Sequence, residues 1–293
     1  MQHLVNGVSR FRSNVARGWD RAFNSRVVRA TAGAAESYFL PAGYRYWVAP
    51  RYYNDIAPDA CVVSQPDVYG VVEGIADALD SRRVLDLGCG KAGKLAPMAV
   101  RYGVVGWDFG SNLAYCRSEH RWGTWLEADL DSDEVLEVDR ELCERAVVVS
   151  SDVVEHLCCP ANLISSIRRM LGTADAAVLS TPDRVRTWGA DHRGPPPNRC
   201  HVREWTLGEF RQLLEWCDLT VAYIGYTRSN TLDVEGKTIL AVCTGTALPA
   251  DKGHLAGSVA ARVSQDALSI ASGRSELSGS TAAEASGHGL DCR

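Results

Sequence analysis

The residues best suited to chemistry stand together in Val84-Leu85-Asp86-Leu87-Gly88-Cys89-Gly90-Lys91-Ala92-Gly93. An apolar run enters a glycine turn, and a helix is expected to leave it. Gly88, Gly90 and Gly93 fit G-x-G-x-x-G, a spacing shared by any Rossmann-like nucleotide site. Glycine lets the backbone turn tightly and approach a ligand. Asp86 sharpens the reading. It falls at the carboxyl end of the expected strand, where its carboxylate would repel a pyrophosphate and attract an ammonium or a sulfonium. S-adenosylmethionine has both cations, an adenosine and no phosphate, so it is the expected occupant. An NAD-type dinucleotide is the disfavoured one.

Further polar residues fall at the ends of later apolar runs. Asp108 lies 20 residues after Gly88 and can accept both ribose hydroxyls, a service it would also give to NAD. In Glu127-Ala128-Asp129-Leu130, Asp129 could accept the adenine amino hydrogens while Leu130 contributes backbone. Ser151-Asp152-Val153-Val154-Glu155-His156 closes the fourth run, with Ser151 at the cofactor's edge. Alone, each acid reads as a loop carboxylate or a helix cap. Four polar strand ends together point to the carboxyl edge of an open α/β sheet. For an oxygen acceptor a base must take the proton. His156 is the first candidate and His201 the second, since a neutral imidazole near pH 7 suits the task.

The elements that must position these residues alternate. Apolar strands are expected at 84–87, 103–107, 124–127, 146–150 and 176–180, and helical stripes at 67–79, 95–100, 113–117, 163–171 and 207–216. Late strands at 219–224 and 238–242 follow without a clear helix between them. The pattern predicts a doubly wound, Rossmann-like, mostly parallel seven-stranded sheet with an antiparallel edge hairpin. The 184–203 connection, with Gly194-Pro195-Pro196-Pro197-Asn198, is long enough for a lid. Trp188, His192 and His201 could line an acceptor pocket from it, or the prolines could hold a rigid surface loop.

Residues 1–65 form an N-terminal extension, expected as a helical lid. Its first part is rich in Arg and reads as a solvated helix or frayed extension, with weak membrane-surface or RNA contact as the sharper reading, and 38–53 are dense in aromatics suited to core packing or a site wall. After Tyr226 no aromatic remains, and 246–293 are expected to be a disordered tail. The 293 residues have a net charge of −5, 46% hydrophobic and 23% charged residues, an ordinary globular balance that excludes a polycation built for nucleic acid. No apolar run reaches transmembrane length and no signal peptide is expected. The ten cysteines form no C-x-x-C pair and suit reduced, mostly buried thiols in the cytoplasm.

Residues 84–95, Asp108, Asp129 and 151–157 resemble the class I S-adenosylmethionine-dependent methyltransferases. Within them the chain is most similar to the ubiquinone-biosynthesis O-methyltransferase group, with D-V-V-E-H-L at 152–157, Ser180-Thr181-Pro182 and His201-Val202-Arg203-Glu204-Trp205-Thr206. The resemblance covers about 66–245. It implies Asp86, Gly88 and Gly90 around the methionine moiety, Asp108 on ribose and Asp129 near adenine. Lys91, beside the glycine turn, departs from that pattern and is expected to face solvent. In small-RNA 3′-end methyltransferases, E-x-x-E-H and a later histidine before E-W-T hold a divalent metal. Asp152, Glu155, His156 and His201 match that set with one substitution, so Mg²⁺, Mn²⁺ or Zn²⁺ is the alternative to a metal-free site with His156 as base or structural histidine. The expected reaction is methyl transfer to a hydroxyl of a small molecule such as a sugar, quinone, lipid head group or secondary metabolite. The rivals are a metal-dependent RNA 2′-O-methyltransferase, for which no basic stripe is evident, and a non-catalytic or NAD-binding relative.

Overall fold

The computed structural model describes residues 25–30, 33–48, 64–132, 134–232 and 235–245. The basic stretch up to residue 24, Tyr52, Tyr53 and the expected tail at 246–293 lie outside the described residues. The chain opens with β1 (Ser25–Val27), α1 (Ala34–Ser37) and β2 (Arg45–Trp47). β1 and β2 pair antiparallel, so the described part of the expected helical lid is a hairpin with one helical turn. It continues with α2 (Val68–Ala78), β3 (Arg83–Leu87), β4 (Gly103–Asp108), α3 (Gly110–Glu119), β5 (Gly123–Glu127), α4 (Arg140–Cys143) and β6 (Ala146–Ser151). It closes with α5 (Pro160–Met170), β7 (Ala176–Pro182), α6 (Arg184–Trp188), α7 (Leu207–Trp216), β8 (Thr220–Arg228) and β9 (Gly236–Thr244).

The main sheet has seven strands in the order β5-β4-β3-β6-β7-β9-β8. β3 to β7 run parallel, while β9 and β8 pair antiparallel at one edge, as the strand spacing predicted. Alternating residues supply two cores. Val84, Val104, Val147 and Val149 face α2 and α3, and Leu85, Val105 and Val148 face α5 and α7. β6 is buried along its whole length, as a central parallel strand must be. In α2 the buried stripe is Val68, Val72, Ile75 and Ala76, at helical spacing. α5 starts with Pro160, whose missing N–H costs nothing in a first turn. α7 starts on a capping box between Thr206 and Glu209.

Two stretches differ from the sequence expectation. At 93–100 two short 3₁₀ turns, Gly93–Leu95 and Met98–Val100, replace one helix. Pro97 between them has no N–H to continue the ladder, and Ala92 is left-handed at φ 57°. At 184–188 the long connection begins with α6, its first turn capped by Asp183, which accepts from Arg186 N. Among the described residues no helix is long and apolar enough to cross a membrane.

The hairpin and the 184–205 connection are sewn together. Arg45 N donates to Arg193 O (2.7 Å), Trp47 N to Val202 O (3.0 Å) and Trp205 Nε1 to Tyr38 O (2.8 Å). Arg184, Arg199 and Arg203 lie over the rings of Tyr44, Trp47 and Tyr38. Tyr44 and Trp47 are therefore buried packing residues, and Tyr38, Phe39 and Tyr46 are half-buried against the same core.

Candidate active site

The parallel strands end at one rim, and the predicted residues gather there. Gly88 and Gly90 are left-handed, at φ 85° and 55°. A Cβ on Gly88 would also lie 2.4 Å from a Val153 methyl, so both conformation and space require glycine. Gly88 N and Cys89 N donate to Trp107 O, which ties the turn to β4. Asp108 takes part in the same construction. Its Oδ2 accepts from Gly90 N at 2.8 Å and its Oδ1 from Phe109 N at 2.8 Å. Asp108 thus shapes the turn as well as standing at the expected ribose position.

Asp86 is fully buried. Its Oδ2 accepts from the Tyr69 hydroxyl at 2.8 Å, while Oδ1 is buried without a hydrogen-bond partner. Burial raises its carboxyl pKa to about 7; the Asp108 charge adds to the rise, and the Tyr69 hydrogen bond and Lys94 oppose it. Lys94 lies 5.2 Å over the Tyr69 ring and acts electrostatically on both Asp86 and Asp152. Tyr69 and Lys94 escaped the sequence reading: Tyr69 comes from α2 with no local motif, although Lys94 directly follows Gly93. Lys91, expected to face solvent, is half-buried with its ammonium 5.5 Å from the Tyr115 ring centroid. Asp129 is exposed and, with Leu130, lines a cavity of about 280 Å³ shared with Leu163 and Ser166 of α5. Ser151 is buried and accepts from the Ser180 hydroxyl.

The segment after β6 brings the histidines in. Asp152 is left-handed at φ 54°, and Val154–His156 form a 3₁₀ turn. Asp152 therefore precedes that turn rather than belonging to it, and its Oδ1 accepts from Gln65 Nε2 at 2.9 Å. His201, 45 residues from His156 in sequence, is fixed beside it by backbone contacts: Val202 N donates to Glu155 O (2.7 Å) and His156 Nδ1 to Cys200 O (2.9 Å). The two rings meet edge-on, with centroids 4.8 Å apart. Burial, reinforced by His201, lowers the His156 pKa to about 4, so its ring is neutral at pH 7. Since Nδ1 holds the proton that meets the Cys200 carbonyl, the lone pair of that ring is on Nε2. Glu155 is buried and holds its proton well above the usual carboxylate range, because of burial first and then the Asp152 charge. Thr181 donates to Glu155 Oε2, and Oε1 is buried without a partner. Glu155, His156 and His201 present ligand atoms within 4.8 Å of one another, three of the four residues named from the sequence. Trp188 reaches His201 through a shared carboxylate: its indole donates to Glu204 Oε2, and His192 stands by the Trp188 ring.

With this geometry in place, the methyltransferase domain family is found to match residues 70–224, more than half of the chain. The chain belongs to that family. Membership gives a methyltransferase domain of the S-adenosylmethionine-dependent class, in agreement with the glycine turn and the acid-lined rim. Over 149 residues the domain is 30% identical to a probable S-adenosylmethionine-dependent methyltransferase of Mycolicibacterium smegmatis. The match takes in 50% of this chain and 54% of the relative, so the chain spans about half the length of that curated relative. Among solved structures, an S-adenosylmethionine-dependent methyltransferase from Mesorhizobium loti is 15% identical with a TM-score of 0.45, over 61% of this chain and 97% of the other. The methyltransferase domain of a bacterial Hen1 protein is 19% identical with a TM-score of 0.47, over 62% and 98%.

Proposed function

We propose that this methyltransferase domain moves the methyl group of S-adenosylmethionine to a hydroxyl of a small molecule, with His156 and His201 at the acceptor. The observation that carries this reading is the pair of imidazoles meeting at 4.8 Å on the rim beside the acidic cofactor crevice. In that crevice the unpartnered Asp86 Oδ1 suits the donor's ammonium, Gly88 and Gly90 admit its methionine portion, and Lys94 suits its carboxylate. Asp108 serves the ribose, and Asp129 with Leu130 and Ser151 border the adenine. The acceptor oxygen attacks the methyl carbon in line, the C–S bond breaks, and its electron pair stays on sulfur as S-adenosylhomocysteine leaves. The acceptor's proton passes to an imidazole Nε2. Alignment supplies most of the acceleration, since the sulfonium is already a good leaving group; the base adds about 10²–10⁴-fold. The test is incubation with methyl-labelled donor and a deproteinised cell extract, followed by identification of the labelled product. An O-methylated small molecule supports the reading, and label only on nitrogen or carbon refutes it.

A second reading draws on Glu155, His156 and His201, whose ligand atoms lie within 4.8 Å of one another, and on the Glu155 Oε1 that is buried without a hydrogen-bond partner. One carboxylate and two imidazoles fit a divalent cation such as Mn²⁺ or Zn²⁺. Such an ion would polarise an acceptor hydroxyl as a Lewis acid. The chain's own residues would then orient the hydroxyl against the methyl donor. Dialysis against a chelator that abolishes transfer, restored by Mn²⁺ and directed at RNA 3′ ends, would favour this reading over a small-molecule acceptor.

A further inference from the structure

His201 is held by a carboxylate that no step above uses. Glu204, three residues on, is completely buried. Its Oε1 lies 2.6 Å from His201 Nδ1, and its Oε2 accepts from Trp188 Nε1 at 2.5 Å. Its backbone is pinned at both ends: Glu204 N donates to the Tyr44 hydroxyl at 3.1 Å, and Glu204 O accepts from Arg184 Nη1 at 2.9 Å. The Arg184 guanidinium spends its charge on Glu209, through Nη1–Oε2 at 2.9 Å and Nη2–Oε1 at 2.8 Å. Both Glu204 oxygens therefore face N–H groups of the site wall.

We propose that Glu204 is the positioning residue of the site: it holds the His201 proton on Nδ1, so that the ring's lone pair sits on Nε2, the nitrogen turned away from Glu204. The proposal rests on the reading that His201 faces the acceptor, and it deepens that reading. It holds whether Nε2 takes a proton or binds a cation, because either use needs that nitrogen bare. The geometry makes the role specific. An indole N–H is a donor only, with no alternative tautomer, and an imidazole can place its proton on either nitrogen. A carboxylate satisfies both with two acceptors. In Glu204→Gln the amide has one oxygen for two N–H groups. The oxygen stays with Trp188, and the amide NH₂ faces Nδ1 and drives the proton to Nε2.

The test is ¹⁵N-histidine NMR of the full chain at pH 8, where an ordinary imidazole is neutral. Long-range ¹H–¹⁵N couplings distinguish the tautomers, and the His201 signal is identified by its loss in His201→Gln. The wild-type chain should show the proton on Nδ1. Glu204→Gln should show it on Nε2, with methyl transfer to a deproteinised cell extract falling about 100-fold or more. Adding Trp188→Phe removes the competing donor, so the proton should return to Nδ1 and transfer should rise again, a rescue that a merely structural role would not give. A wild-type proton on Nε2 overturns the proposal without any variant, which covers the case in which Glu204→Gln fails to fold. So does a folded Glu204→Gln that keeps Nδ1–H. Inversion of the tautomer with transfer unchanged removes His201 from the reaction, and with it the role given to Glu204. Absence of labelled product with the wild-type chain counts against the proposed function, while the wild-type tautomer still decides this proposal.

Discussion

The proposed function asks two opposed things of Asp86: to sit in the core and to present a charge to a cation. The folded state keeps its proton up to about pH 7, whereas an unfolded aspartate releases it near 3.8. Between those values the folded chain binds more protons, so stability falls as pH rises through that window and levels off above it. The difference is about 4 kcal/mol by pH 8, from about three pK units at 1.36 kcal/mol each. Asp86→Asn should remove this loss, so the urea midpoints of wild type and variant should diverge from pH 5 to pH 8 in the variant's favour. The same variant should bind S-adenosylmethionine about 10- to 100-fold more weakly, the worth of one charge-assisted hydrogen bond, by titration calorimetry. At Gly88 the opposite holds. Alanine there meets Val153 and a φ of 85°, and should cost about 2–3 kcal/mol in chemical denaturation. Val153→Ala in the same chain should recover the steric part and leave the backbone part.

The element with the most consequence beyond the sheet is the β1–β2 hairpin, because it holds the connection that delivers His201. Trp47 is the hinge of that contact. Its ring lies under Arg199, its indole donates to Pro196 O at 2.9 Å, and its backbone N bonds Val202 O next to His201. Trp47→Ala should cost about 3–5 kcal/mol, the usual range for a buried tryptophan. At a temperature where the variant is still folded, methyl transfer should drop while donor affinity changes little, since Asp86 and the glycine turn belong to another part of the rim. Equal losses of both, measured by calorimetry and label transfer, would refute this separation. The hairpin was hidden in the sequence: Tyr38, Tyr44, Tyr46 and Trp47 announce packing, but three-residue strands leave no periodicity to read. α2 and α5, with four or more buried positions at helical spacing, were plain.

At the scale of the whole molecule, the family and the acidic rim make one shared forecast about ligands. Saturation with S-adenosylmethionine at about 100 times its Kd should stabilise the chain by about 2.7 kcal/mol. For a domain of this size that is a rise in Tm of about 5–10 °C. NAD at the same concentration should give no shift, because its pyrophosphate meets Asp86. A larger shift with NAD would remove the electrostatic basis of the proposed function. The eight cysteines of the described residues have free thiols, and five of them are buried, so the melting curve should be insensitive to mild reductant.

The seven strands of the main sheet with their antiparallel edge, the glycine turn and the acids at the strand ends were determined by the sequence alone. Alternation, helical spacing and left-handed glycine are local, and a few neighbouring residues are enough to express them. The meeting of His156 with His201, the Tyr69 hydroxyl on Asp86, the Glu204 carboxylate behind His201 and the left-handed backbone of Asp152 were decided by the tertiary structure. Those contacts join residues on different elements, and their chemistry depends on burial. A carboxyl at position 86 is ordinary in water, and only the closed core around it raises its proton affinity and leaves one oxygen without a hydrogen-bond partner.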